Sequence, residues 1–166
     1  MLENLRSPAQ LTRTETDSTV RDEYSLLINA PADQLWDLVS DVTRMGRFSP
    51  ENRRGQWLGR PGVGTFFVGF NRIGPVVWTT LCRVTRLDPG RSFEFTVYLV
   101  GTRWGYHLQP VADGVVVTEY REWPKKAFLH RVLRVLGQVG KPRDNYALNG
   151  LYRSLHRISD LTQAAA

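Results

Sequence analysis

Carboxylates, phenols, imidazoles and thiols are the side chains that transfer protons, bind metals or attack carbonyls. Glu119 is the sharpest such candidate in this chain. It lies in Val115-Val116-Val117-Thr118-Glu119-Tyr120-Arg121, a run of strand type. In a strand, successive side chains point to opposite faces. Val116, Thr118 and Tyr120 therefore share one face, and Val115, Val117, Glu119 and Arg121 the other. If the Glu119 face is buried, its carboxyl is held out of water and its pKa rises unless it is paired. It then suits a general acid or base, or a group that orients a ligand. The plainer alternative is an ion pair with Arg121, Arg103 or Arg83 at the sheet edge. Tyr106 and Tyr152 carry phenols that serve as both apolar wall and polar handle, and both suit plain core packing equally well.

The remaining reactive types are less promising. His107 has no Ser, Cys or Asp placed to complete a nucleophilic set, and alternation turns it outward. His130 and His156 lie beside arginines on helical segments and are expected in solvent. Three histidines without a carboxylate cluster at ligand spacing predict no metal site. Cys82, the single cysteine, can form no disulfide within the chain and is expected to pack as a small hydrophobe. Gly62-Val63-Gly64 lacks the third glycine and the following helix of a dinucleotide loop, so it is taken as a turn. No cofactor is expected.

Length and composition narrow the setting. The chain has 166 residues, of which 42% are hydrophobic and 23% charged, as expected for one globular domain. Its 18 aromatics, five of them Trp, can build a core and line a cavity. No stretch approaches the roughly 18 consecutive apolar residues of a membrane span. Residues 1–20 contain no apolar run of the kind a secretory signal needs, and are expected to be a flexible polar tail. A cytoplasmic location is the simplest expectation. Lys and Arg number 22 against 16 Asp and Glu, for a net charge of +6. Six of the bases, and no acid, fall in residues 125–143, so the rest of the chain is electrically balanced. That distribution argues against specific nucleic-acid binding.

These residues must be positioned by elements. A strand is expected over 24–28, then a short helix over 32–41 with Pro31 and Asp33 at its start. A second short turn is expected over 43–48, ended by Ser49-Pro50. Strands follow at about 52–59, 64–72, 75–87, 91–100, 102–110 and 114–123, separated by Gly and Pro turns. Connections this short make neighbouring strands antiparallel. Helices are expected over 125–139 and 143–163, separated at Gly140-Lys141-Pro142.

Several stretches resemble a known family in order and spacing. They are Ile28-Asn29-Ala30-Pro31-Ala32-Asp33 leading into Leu35-Trp36-Asp37-Leu38-Val39-Ser40-Asp41-Val42, then Arg47-Phe48-Ser49-Pro50. Val84-Thr85-Arg86-Leu87-Asp88-Pro89-Gly90 precedes Phe93-Glu94-Phe95, and Trp104-Gly105-Tyr106-His107-Leu108-Gln109-Pro110 precedes Gly114 and Val117-Thr118-Glu119. Together they look like the polyketide cyclase/dehydrase-type branch of the START-like (SRPBCC) superfamily, over 21–163. The resemblance implies an α+β helix-grip fold. A strongly bent seven-stranded antiparallel sheet would wrap a long C-terminal helix, with two short helices after strand 1. It also implies an apolar cavity between sheet and helix, and it turns Val117, and with it Glu119, to the concave side.

Alternation along the strands then nominates Trp78, Thr80, Phe95, Val97, Trp104 and Tyr106 as cavity wall, with Leu148 and Tyr152 from the helix. The leading expectation is a protein that binds a hydrophobic small molecule such as a lipid or polyketide. The alternative is a polyketide cyclase or dehydratase using Glu119 or a pocket tyrosine for proton transfer. The two differ in the density of polar groups in the pocket, which is expected to be low. A third possibility is an anionic membrane surface meeting Lys125, Lys126, Arg131 and Arg134.

Overall fold

Glycine, proline and aspartate turns cut the middle of the chain into strands too close together for parallel pairing, and the resulting sheet is antiparallel throughout. A computed structural model describes residues 10–125 and 141–164. Its elements are β1 (Gln10–Glu15), β2 (Thr19–Ile28), α1 (Ala32–Val39), a 3-10 helix (Val42–Arg47), β3 (Asn52–Trp57), β4 (Phe66–Ile73), β5 (Val76–Asp88), β6 (Ser92–Val97), β7 (Arg103–Val111), β8 (Gly114–Pro124) and α2 (Lys141–Gln163). One eight-stranded sheet has the order β1-β2-β8-β7-β6-β5-β4-β3. The helix expected over 125–139 falls almost entirely outside the described residues. No helix among the described residues is long and apolar enough to cross a membrane.

The sheet has eight strands where the sequence predicts seven. Gln10–Glu15 pairs with β2, and β2 itself begins at Thr19, so most of residues 10–20 belongs to the sheet and not to a tail. The signal was masked by one charge. The inward residues of β2 are Val20, Asp22, Tyr24, Leu26 and Ile28, an apolar alternation broken by an aspartate with no exposed surface. Asp22 is held by two arginines. The Arg13 Nε lies 2.6 Å from Oδ1, and the Arg121 guanidinium 2.9 Å from Oδ2. Arg13 lies on β1 and is partly exposed, so an ion-pair network centred on the buried Asp22 links the edge strand to the third strand of the sheet.

The short helices close one end. Leu35, Leu38 and Val39 form the buried face of α1, and Val42, Met45 and Phe48 continue it. The Asp41 carboxylate accepts from the Thr43 N–H at 2.9 Å and caps the 3-10 helix, which separates the two short helices. On α2, Leu151, Leu155 and Ile158 recur at helical spacing and are fully buried against the concave face. The convex face is finished by Tyr120, whose hydroxyl donates to Glu94 at 2.6 Å. Its ring lies across Gly105, where an added Cβ would come within 2.4 Å of it, and the Arg21 guanidinium sits 3.7 Å above it. Tyr120 is thus buried although it points away from the core.

Candidate functional site

Between the concave face of the sheet and α2 lies a cavity of about 760 Å³. Strands β5 to β7 build much of its wall. Trp78 and Thr80 come from β5, Phe95 and Val97 from β6, and Trp104 and Tyr106 from β7, and all six line it. Phe67 packs edge-on against Phe95 at 5.0 Å between ring centres, which stiffens the wall. Val76, Val77 and Leu99 also border the cavity, and they are among the most exposed large apolar residues of the chain.

The helix contributes different residues from those expected. Ala147, Gly150 and Ser154 line the cavity, whereas Leu148 and Tyr152 do not. Tyr152 is 50% exposed. Its ring lies 4.1 Å from His156 and 5.5 Å from Tyr24, and the Tyr24 hydroxyl is 3.3 Å from His156 Nε2. The reason is volume. Large apolar residues on α2 fill the space they face, so the stripe Leu151, Leu155 and Ile158 makes solid core. A cavity survives where the helix presents small side chains.

Glu119 faces inward and is 3% exposed. None of the three arginines considered as partners reaches it. Arg121 bonds to Asp22, Arg103 lies near Glu94 and Glu122 on the convex side, and Arg83 reaches the Gly64 carbonyl. In their place the Tyr106 hydroxyl donates to Glu119 Oε1 at 2.9 Å. Burial pushes the Glu119 carboxyl up to about 8, against the opposing pull of the Tyr106 and Ser154 hydroxyls. The Ser154 hydroxyl is near enough to act on the charge, although Oε2 has no partner at hydrogen-bonding geometry among the described residues. Burial, and then the Glu119 charge, hold the Tyr106 hydroxyl well above its usual range. Near neutral pH the pair is a carboxylic acid beside a phenol, both on the cavity wall.

Other reactive groups fall elsewhere. Cys82 lines the cavity, and burial pushes its thiol up to about 11, which keeps it protonated. His107 does have a serine neighbour, contrary to expectation. Its Nδ1 lies 3.0 Å from Ser92 Oγ, but the pair is not on the cavity wall. Lys125 pairs with Glu15 of β1 at 3.1 Å, while Lys126, Arg131 and Arg134 lie outside the described residues. The cavity is also more polar than expected, because Asn52, Asn71 and Ser154 join Thr80, Tyr106 and Glu119 on its wall. Small residues at 147, 150 and 154 recur at helical spacing and were the available signal for the helix contribution. Asn52 and Asn71 carried none, since asparagine in a strand reads as a turn or an edge.

Comparison with known proteins agrees with this geometry. The family model described as polyketide cyclase / dehydrase and lipid transport matches residues 19–139. A polyketide-cyclase-like protein from Corynebacterium glutamicum is 30% identical, with a TM-score of 0.59 over 89% of this chain and 93% of that one. The di-domain ARO/CYC of the steffimycin biosynthetic pathway is 16% identical with a TM-score of 0.68, and the match covers 90% of this chain and 52% of that one. A major latex-like protein from Panax ginseng is 15% identical with a TM-score of 0.65, over 87% and 98% of the two chains. The last two share the fold alone. Comparison with curated proteins gives no match. The matched residues, together with the bent sheet gripping a C-terminal helix, show that this chain belongs to the polyketide cyclase/dehydrase and lipid transport family.

Proposed function

We propose that the protein binds an apolar small molecule in the cavity and orients it through the Glu119–Tyr106 pair. The observation that carries this reading is one buried carboxyl, hydrogen-bonded to a phenol, on the wall of an otherwise largely apolar cavity of about 760 Å³. That volume falls within the range of about 300–1,000 Å³ typical of small-molecule sites. A neutral acid of this kind donates a hydrogen bond to a carbonyl or hydroxyl oxygen without the cost of burying a charge.

A second reading is favoured by the Glu119 pKa of about 8. A proton donor and acceptor poised near the working pH suits cyclisation or dehydration of a poly-β-ketone chain. The cavity would restrain the chain, and the neutral Glu119 would give its proton to the carbonyl oxygen under attack, while the carboxylate so formed takes a proton from the carbon between two carbonyls and the acid is regenerated.

Glu119→Gln separates the two readings. For a binding protein it leaves the affinity for a neutral apolar molecule within about threefold, because the shape and the Tyr106 hydrogen bond are kept. For a cyclase or dehydratase it lowers turnover of a poly-β-ketone by about 10²–10⁴-fold with affinity retained. Loss of affinity for neutral hydrocarbons in a folded Glu119→Gln protein contradicts both.

A further inference from the structure

We infer that Asn52, Asn71 and Thr80 form a second polar subsite on the cavity wall, one that takes a hydroxyl group of the bound molecule. The inference rests on the reading of the cavity as a binding site and adds a chemical requirement to its ligand. All three residues line the cavity, together with Gly69 and Cys82. They are brought together by register: Asn52 of β3 stands opposite Asn71 of β4, and Gly69 of β4 opposite Thr80 of β5.

The hydrogen bonds fix which atoms remain unused. Asn71 Nδ2 donates to the Gly69 carbonyl at 3.3 Å and to Thr80 Oγ1 at 3.2 Å. A carbonyl only accepts, so the Asn71 amide is fixed with its nitrogen on that side. Its Oδ1 therefore faces Asn52 and accepts from Asn52 Nδ2 at 3.2 Å. That orients the second amide in turn. Asn52 Oδ1 is turned away from Asn71 and is buried with no donor among the described residues. Thr80 Oγ1 accepts from Asn71 and from the Cys82 thiol, 3.6 Å away. Among the described residues its own proton meets only the weakly accepting Cys82 sulfur and can turn into the cavity instead.

The cluster is thus left with one unused acceptor and one unused donor in the same part of the wall. The Asn52 acceptor is buried and unmatched, which is unfavourable, while Thr80 is partly buried. A hydroxyl group both donates and accepts, so it matches both, whereas an ether or a ketone matches only the Thr80 donor. Gly69 keeps the place open. A Cβ there would stand 2.8 Å from Thr80 Oγ1 and 3.1 Å from Asn52 Nδ2. The subsite is distinct from Glu119. The sheet order puts β6 and β7 between Thr80 on β5 and Glu119 on β8. Three strand spacings correspond to about 14 Å along the curved sheet.

The test uses naphthalene, 2-naphthol and 2-methoxynaphthalene, titrated into the full chain and followed by tryptophan and naphthyl fluorescence. The expected result is 2-naphthol binding about tenfold more tightly than 2-methoxynaphthalene. Thr80→Val should reduce that ratio to below about threefold, with naphthalene affinity unchanged and the thermal unfolding transition retained. Thr80→Ser, which keeps the hydroxyl, should restore it, and Glu119→Gln should leave it intact. Equal affinity of the wild type for 2-naphthol and 2-methoxynaphthalene overturns the subsite alone. So does a preference that survives Thr80→Val or disappears only in Glu119→Gln. Failure of all three molecules to bind overturns the subsite and the binding reading together.

Discussion

Glu119 shares its strand face with valines and is out of water, and among the described residues its one well-formed hydrogen bond comes from Tyr106. Its folded-state pKa of about 8 stands above the ordinary 4.5. Below the lower value both folded and unfolded chains carry the proton, and the site contributes no pH dependence. Between the two values the unfolded chain ionises while the folded protein does not, so stability falls as pH rises. Above about 8 the folded protein ionises too, and the loss levels off. Glutamine cannot ionise and escapes this loss. The unfolding temperature of Glu119→Gln should therefore rise relative to wild type as pH goes from about 5 to about 8. Every other titrating group is common to both proteins and cancels in the difference. Thermal unfolding across that range checks it, and a difference that stays constant with pH contradicts the buried, neutral acid.

At the scale of elements, the informative case is β1, which no apolar pattern announces. Its backbone ladder with β2 joins it to the sheet, and Arg13 adds an ion pair to Asp22, which Arg121 also holds. Asp22 and Arg121 are buried, with side chains 0% and 7% exposed, while Arg13 is 44% exposed. Removing a buried charge from such a set is severe, and removing an exposed one is mild. Asp22→Ala should cost about 3–5 kcal/mol in urea unfolding. Arg13→Ala should cost about 0–1 kcal/mol. A loss for Arg13→Ala as large as that for Asp22→Ala would contradict the distinction between the buried pair and the exposed one. The remaining strands were legible within a few residues because glycine and proline turns bound β3 to β8; Trp78, Thr80, Phe95 and Trp104, which alternation turned inward, lie on the cavity wall, but so do Val77, Thr79 and Leu81 of the opposite face of β5. The face of α2 was not legible. Its large apolar residues mark where the helix packs solidly, and a cavity is the place where packing stops. Asp22 hid the start of β2 for a related reason, since a buried charge with distant partners looks like a surface residue in sequence.

At the scale of the whole molecule, the fold is a support for the cavity. The concave sheet supplies aromatic walls, α2 approaches with Ala147, Gly150 and Ser154, and two polar clusters stand on different strands of one lining. Family membership fits an apolar-ligand protein and an enzyme acting on apolar chains alike, so the cavity itself has to decide the first question. The most direct measurement is a titration with N-phenyl-1-naphthylamine, a neutral apolar probe whose emission rises out of water. Wild type is compared with the double variant Val97→Trp, Ala147→Trp, which narrows the cavity from the sheet and from the helix. The account predicts saturable one-site binding to wild type. It predicts affinity at least about tenfold weaker in the folded double variant, since overfilled space excludes the probe. No saturable binding to wild type, or equal affinity in the folded variant, would contradict it.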